Sequence, residues 1–303
     1  PLFLKVKYED EPFYRDTATI FTIHNLHYQG RFPKDILTTL NLNEKRFFNP
    51  EELEFWGQVN FMKGGIIYAD LINTVSNKYS LEIQTPEFGE GLDGLLRKRS
   101  QDLYGIVNGI DYHKFNPETD ENIYKNYSLD TIENKIENKY RLQEELGLPR
   151  KDVPVISLIS RLVAQKGLDL VGQIMNDLLK EDVQFILLGT GEDYYQQMFS
   201  QIKVRYKDKA AIIIGFDPVL AQKIYAGSDI FLMPSKFEPC GLSQLISLRY
   251  GTIPVVHATG GVEDTIIDFP TDPEKGNGFS FKNFSVSDFW ITLQRALDLF
   301  NNH

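Results

Sequence analysis

Ser235-Lys-Phe-Glu-Pro-Cys-Gly-Leu-Ser-Gln-Leu245 sets one carboxylate, Glu238, directly before a turn in which Gly241-Leu-Ser243 forms the first turn of a helix running through Arg249. Free amides at such a turn, helped by the positive end of a helix, are a seat for phosphate. Upstream, the apolar run Val155–Ile159 leads into Ser160-Arg-Leu-Val-Ala-Gln-Lys-Gly167, which presents two cations, Arg161 and Lys166, at a strand end. An arginine offers a planar fork to phosphate oxygens and a lysine a compact charge, so the two together can neutralise a departing diphosphate. A carboxylate beside them can bond a sugar hydroxyl or stabilise positive charge on a sugar ring. The set suits a sugar diphosphate. Plain alternatives stand beside it: solvated loop cations for Arg161 and Lys166, and a stabilising helix N-terminal carboxylate for Glu238.

The remaining candidates are weaker singly. His24 follows Ile20–Ile23 at another strand end, in His24-Asn-Leu-His27. That loop has no cysteine or acidic ligand close by in sequence, so the His-x-x-His spacing reads as a sugar contact or a structural imidazole rather than zinc. Cys240, the single cysteine, reads as a small packed residue, since no base accompanies it. Gly189-Thr-Gly191 lacks the third glycine of a dinucleotide fingerprint, Tyr194 standing in its place, so a nicotinamide cofactor is not expected. Pro86–Gly94 is glycine-rich and fits a ligand cradle or a mobile loop equally. The sequence contains no Asp-x-Asp, and the expected chemistry is therefore metal-independent and free of cofactors, with Arg161 and Lys166 offsetting the diphosphate charge. No nucleophile elbow or Walker loop appears, which disfavours hydrolases and kinases.

These residues must be held by a scaffold, and the apolar rhythm supplies one. Short runs at 18–23, 71–75, 103–107, 153–159, 183–188, 211–214, 230–233 and 253–256 alternate with stretches of helical spacing, notably 169–179 and 220–226. That pattern predicts βα units and parallel sheets, the continuous runs being strands covered on both faces. The stretch 131–146 reads as a charged, solvated helix stopped by Gly147 and Pro149. An Asn-Gly step after the 103–107 run marks a boundary, giving domains 1–105 and 106–303. At 303 residues the chain has room for two such domains. A formal charge of −10 without a basic stripe argues against a nucleic-acid partner. No run is long enough for a membrane span, and one cysteine fits a reducing compartment.

Taken together, Phe21–Gly30, Asn73–Ser76, Thr85–Leu95, Val107–Asp111, Ser160–Asp169 and Pro234–Gln244 resemble, in order and over nearly the whole chain, the bacterial glycogen synthase and plant starch synthase family. The resemblance implies the GT-B architecture: an α/β fold of two Rossmann-like domains with parallel sheets facing across a cleft, the N-terminal one incomplete here. It implies transfer of glucose from ADP-glucose to the non-reducing end of an α-1,4-glucan, with retention. Under it Arg161 and Lys166 match the diphosphate-binding pair, Glu238 the essential carboxylate, and Cys240, Gly241, Leu242 and Ser243 the turn on the sugar and distal phosphate. His24 matches a histidine reaching the glucose, Asn108 an asparagine of the same cleft, and Phe216 an adenine-stacking tyrosine, without the hydroxyl. The family's Lys-Thr-Gly-Gly-Leu loop, its Asp-Trp-His segment and its last crossover helix have no counterpart. The second position of a related Glu-x7-Glu pattern falls on Ile246, leaving Glu238 alone. The resemblance thus implies a piece lacking both ends, inactive or impaired by itself, of an enzyme from bacterial cytoplasm, or from a plastid if a transit peptide has been removed. Its rivals are a GT-B enzyme of other donor or acceptor and a non-catalytic glucan-binding relative.

Overall fold

The computed structural model describes residues 1–302, and its internal contacts divide them into two units, Pro1–Asn108 and Gly109 onward. The division comes after Asn108 instead of Gly105, because the Ile106 amide still donates to Thr74 O at 2.9 Å and continues the sheet.

The first unit contains a parallel sheet of β1 (Ile20–Ile23), β5 (Leu71–Thr74) and β6 (Leu103–Gly105), in the order β1-β5-β6. Ile23, Ile66, Ile72, Ile83 and Leu96 are fully buried in this unit. A second, antiparallel sheet was not foreseen. It is built from β2 (Arg31–Phe32), β3 (Glu54–Phe55) and β4 (Gln58–Asn60) in the order β2-β4-β3. Trp56-Gly57 closes the β3–β4 hairpin, with φ of 52° and 78°. Two positive φ values match the twist of a two-residue hairpin, a place usually filled by Asn-Gly. For a residue with a bulky side chain the left-handed region costs about 1–2 kcal/mol.

The second unit is a doubly wound domain. Its six parallel strands are β7 (Val155–Ile159), β8 (Gln184–Gly189), β9 (Ala210–Ile214), β10 (Ile230–Met233), β11 (Ile253–His257) and β12 (Phe279–Phe281). Their order is β12-β11-β10-β7-β8-β9. Side chains alternate between two faces. Ile156, Leu158, Phe185 and Leu187 join the helices Leu168–Leu178, Asp193–Arg205 and Val286–Asn302 in one core, while Val155, Ile186 and Leu188 meet Lys135–Glu145 and Pro218–Gly227 in another. Burial on both sides is why these strands read as continuous apolar runs. β12 and the helix Val286–Asn302 escaped the sequence reading.

The 131–146 stretch is corrected in two respects. It begins as a 3-10 turn, Leu129–Asn134, kinked at Thr131, and only Lys135–Glu145 is α-helical. Nor is it merely solvated: Lys139, with its side chain 3% exposed, pairs with Asp229 at 2.9 Å, and Asn138 and Leu142 are fully buried.

Candidate active site

Strand order reverses in the second unit between β10 and β7. In open α/β sheets such a switch point, outside the carboxyl ends of the strands, is where ligands bind. The chain leaving β7 carries Arg161 and Lys166; the chain leaving β10 carries Glu238. Separated by 72 residues in sequence, Lys166 Nζ and Glu238 Oε2 meet at 2.5 Å, with side chains only 18% and 11% exposed. Ser235 Oγ donates to the same carboxylate oxygen at 3.1 Å.

Backbone bonds fix the two loops to one another. The Lys236 amide donates to Gln165 O at 2.8 Å, and Gln165 Nε2 to Phe237 O at 3.1 Å. Gly167 makes the approach possible: a Cβ there would stand 1.9 Å from Pro234 O, and its φ of 69° is left-handed. His257, buried at the end of β11, lies 2.7 Å through Nδ1 from Ser235 O and 3.2 Å through Nε2 from Lys282 O. Ser235, Gln165 and His257 were not singled out as site residues. The first two stand inside the motifs that drew attention to Lys166 and Glu238, whereas His257 carries no sequence signal beyond its position at a strand end.

On the same edge of the sheet, a cavity of about 320 Å³ opens over the carboxyl ends of β7, β8 and β9. Ser160, Arg161, Gly189, Thr190, Phe216 and Tyr225 contribute to its wall. Phe216 is 87% exposed. Asp217 caps the helix Pro218–Gly227 by accepting from Leu220 N at 2.9 Å. Gly189-Thr-Gly191 is a turn packed closely on the loop after β7: Leu162 N donates to Thr190 O at 2.9 Å. The cavity thus joins a guanidinium, a glycine-rich turn and an exposed aromatic face, the few placed polar groups and apolar lining of a small-molecule site.

The turn ahead of the helix differs from expectation. The helix is Ser243–Arg249, and Gly241 and Leu242 precede it, because the left-handed φ of 69° at Gly241 cannot belong to a helical turn. Cys240 and Gly241 are buried, Leu242 is exposed, and Ser243 hydrogen-bonds the side chain of Tyr225 in the cavity wall. The structure therefore gathers Arg161, Phe216 and, through Tyr225, Ser243 about the cavity, and pairs Lys166, from the same loop as Arg161, with Glu238. His24 and Asn108 belong to the first unit, His24 exposed just past β1 and Asn108 half-buried beyond β6. His27 Nδ1 lies 3.0 Å from Glu90 Oε1.

A family model described as glycosyl transferases group 1 matches residues 141–299, more than half of the chain, including the paired loops and every cavity residue named above. The chain belongs to this family. Residues 1–98 match a second model, the starch synthase catalytic domain. Among curated relatives of this group 1 glycosyltransferase, the glycogen synthase of Moorella thermoacetica is 64% identical over 302 residues, which make up 100% of this chain and 62% of that protein. That of Desulforudis audaxviator is 55% identical, over 99% of this chain and 60% of its own. The chain thus spans less than two thirds of the length of these relatives. A solved structure, the catalytic domain of starch synthase IV from Arabidopsis thaliana bound to ADP and acarbose, superposes with a TM-score of 0.94 at 33% identity, covering 99% of this chain and 63% of that one. A glycosyltransferase from Rickettsia africae ESF-5, at 16% identity and a TM-score of 0.54 over 76% of this chain and 54% of its own, shares the fold alone. The α/β fold is that of the GT-B glycosyltransferases.

Proposed function

We propose that the protein transfers glucose from ADP-glucose to the non-reducing end of an α-1,4-glucan with retention, as a glycogen synthase. The observation that carries this reading is the Lys166–Glu238 pair on the same sheet edge as the cavity lined by Arg161 and Phe216. Glycogen synthases are its relatives over the whole of this chain, and ADP occupies the similar starch synthase structure.

In this mechanism the nucleotide base lies against Phe216 and the diphosphate against Arg161 and Lys166, with the Cys240–Ser243 turn toward the sugar and distal phosphate. Glu238 holds the Lys166 ammonium in place before the donor arrives, so little reorganisation accompanies the reaction. As the bond from the anomeric carbon to the phosphate oxygen breaks, the electron pair leaves with ADP, and the two cations neutralise that charge. The acceptor hydroxyl attacks from the same face and its proton passes to the departing phosphate. Glu238 is placed to stabilise positive charge on the ring. His24 and Asn108 are assigned to the glucose by resemblance. No metal takes part in this scheme. Among the described residues no helix is long and apolar enough to cross a membrane, and the bacterial relatives make cytoplasm the compartment we propose.

The test is transfer of labelled glucose to glycogen by the full-length protein, with ADP-glucose and UDP-glucose compared and EDTA present. Incorporation from ADP-glucose is expected. Transfer only from another donor, or only to a different acceptor, replaces this reading with another glycosyltransferase. Glucan binding without transfer replaces it with a non-catalytic relative.

A further inference from the structure

The β3–β4 hairpin of the first unit carries a feature that the transfer chemistry does not use. Trp56 is 73% exposed and sits at φ 52°, in a turn where asparagine would be unstrained. Strain kept at an exposed position points from the outlier toward function.

The turn and the ring are both held. Glu54 Oε1 accepts from the Gly57 amide at 2.7 Å and closes the turn. Phe55 stacks on the indole at 4.5 Å between ring centres, and the Arg31 guanidinium lies 4.8 Å from the Phe55 ring centre and 5.4 Å from that of Trp56. Arg31 is itself anchored on Gln29 Oε1 by bonds of 3.0 and 2.9 Å. The glycine-rich loop supplies the last support. A Cβ at Gly91, whose φ is 79°, would come within 3.0 and 3.1 Å of two indole atoms, so only glycine lets the ring edge rest there. Glu90, the residue before Gly91, engages His27 at 3.0 Å, both of them partly exposed, so a carboxylate and an imidazole belong to the loop on which the ring edge rests.

We propose that Trp56 is a stacking platform for a pyranose of an α-linked glucan, with His27 and Glu90 meeting the sugar hydroxyls. A pyranose is amphiphilic: its electropositive C–H face suits the negative face of an indole, and its rim of hydroxyls needs donors and acceptors at the ring edge. A fixed indole with a carboxylate and an imidazole on its supporting loop offers that combination. A glucan is the occupant because it is the acceptor in the reading above, on which this inference rests.

The experiment is calorimetric titration of maltoheptaose into the full-length protein and into Trp56→Asn and Trp56→Tyr, with Tm measured alongside. Trp56→Asn is expected to weaken maltoheptaose at least tenfold while Tm holds or rises, since asparagine relieves the turn; Trp56→Tyr keeps most of the affinity. Affinity within twofold of wild type in Trp56→Asn overturns the platform. So does a loss that comes with a lowered Tm and is not rescued by tyrosine, for then the ring only props the hairpin. A protein that binds maltoheptaose through Trp56 but transfers nothing from ADP-glucose overturns the proposed reaction and leaves the platform standing. One that transfers glucose but ignores this substitution does the reverse.

Discussion

At the carboxyl ends of β7 and β10, Lys166 and Glu238 are mostly buried, bonded to each other, and locked by backbone bonds between their loops. On the β3–β4 hairpin, Trp56 is mostly exposed and held in a strained turn by stacking. The difference follows from what each must meet. Charge that develops during a reaction is stabilised best by groups oriented in advance and shielded from water, because then nothing need reorganise. The flat apolar face of a sugar needs only a rigid surface open to solvent. The first arrangement draws on the switch-point topology of a whole domain, the second on a two-residue turn and one glycine.

Breaking the first arrangement should have the largest effect. Glu238→Gln keeps the shape and can still accept from Ser235, but leaves the Lys166 ammonium enclosed without its counter-charge. We expect kcat for glucosyl transfer to fall about 10²–10³-fold, the scale set by losing one preorganised electrostatic group. A steady-state kcat within a few-fold of wild type would reject the role of the pair. Lys166→Ala, assayed in parallel, should fall as far, and the double variant little further, since groups acting as a unit are not additive.

The scaffold beneath the pair offers a second test, through pH. Lys135 Nζ is enclosed although its stem is partly exposed, and it donates to Ala226 O at 2.8 Å, Tyr250 O at 3.0 Å and Thr252 Oγ1 at 2.9 Å. Those acceptors lie at the ends of the helices Pro218–Gly227 and Ser243–Arg249, whose opposite ends adjoin Phe216 and Gly241. Burial pushes Lys135 down to about 7, opposed by Asp229 and assisted by Lys139. An unfolded lysine titrates near 10.4, so between these values the unfolded chain holds more protons and stability rises with pH. The gain is lost as pH falls through 7. From pH 7 to 9 it amounts to about 2 kcal/mol, below the range where Tyr127, Tyr225 and Tyr250, all raised by burial, begin to matter. Lys135→Met should be less stable at every pH, having left carbonyls unpaired, but should lose that slope. Parallel urea midpoints across pH in both proteins would refute the assignment. The hairpin, with no such group among the contacts described, should be indifferent to this titration.

How much of this was legible beforehand depends on sequence separation. The buried strands declared themselves through continuous apolar runs, and Arg161, Lys166 and Glu238 through residue type at strand ends. That Lys166 and Glu238 pair with each other was hidden, since β8 and β9 intervene in sequence while β7 and β10 are neighbours in the sheet. Lys135 passed for one more charge on a solvated helix; its inward turn depends on carbonyls 90 or more residues away. The hairpin strands are too short for any period to show, and Trp-Gly is not a turn signal in the way Asn-Gly is. β12, with three residues, failed for the same reason of length.

The smallest effect divides the two exposed aromatics most cleanly. Phe216, like Trp56, presents a ring to solvent, 87% exposed, yet in the second unit and without left-handed backbone. If it stacks on the donor's base and Trp56 on the glucan, each substitution should move one substrate only. Phe216→Ala removes a contact present equally in the ground and transition states, so KM for ADP-glucose should rise while kcat holds. A single stacking interaction is worth about 1 kcal/mol, which makes the rise roughly five- to tenfold. Phe216→Tyr should match wild type or bind slightly better, since it adds a hydroxyl to the same face. Acceptor KM should be untouched by either. Were Phe216→Ala instead to raise the glucan KM and spare the donor, the aromatic face of the cavity would belong to the acceptor, and the division of labour between the two units would have to be redrawn.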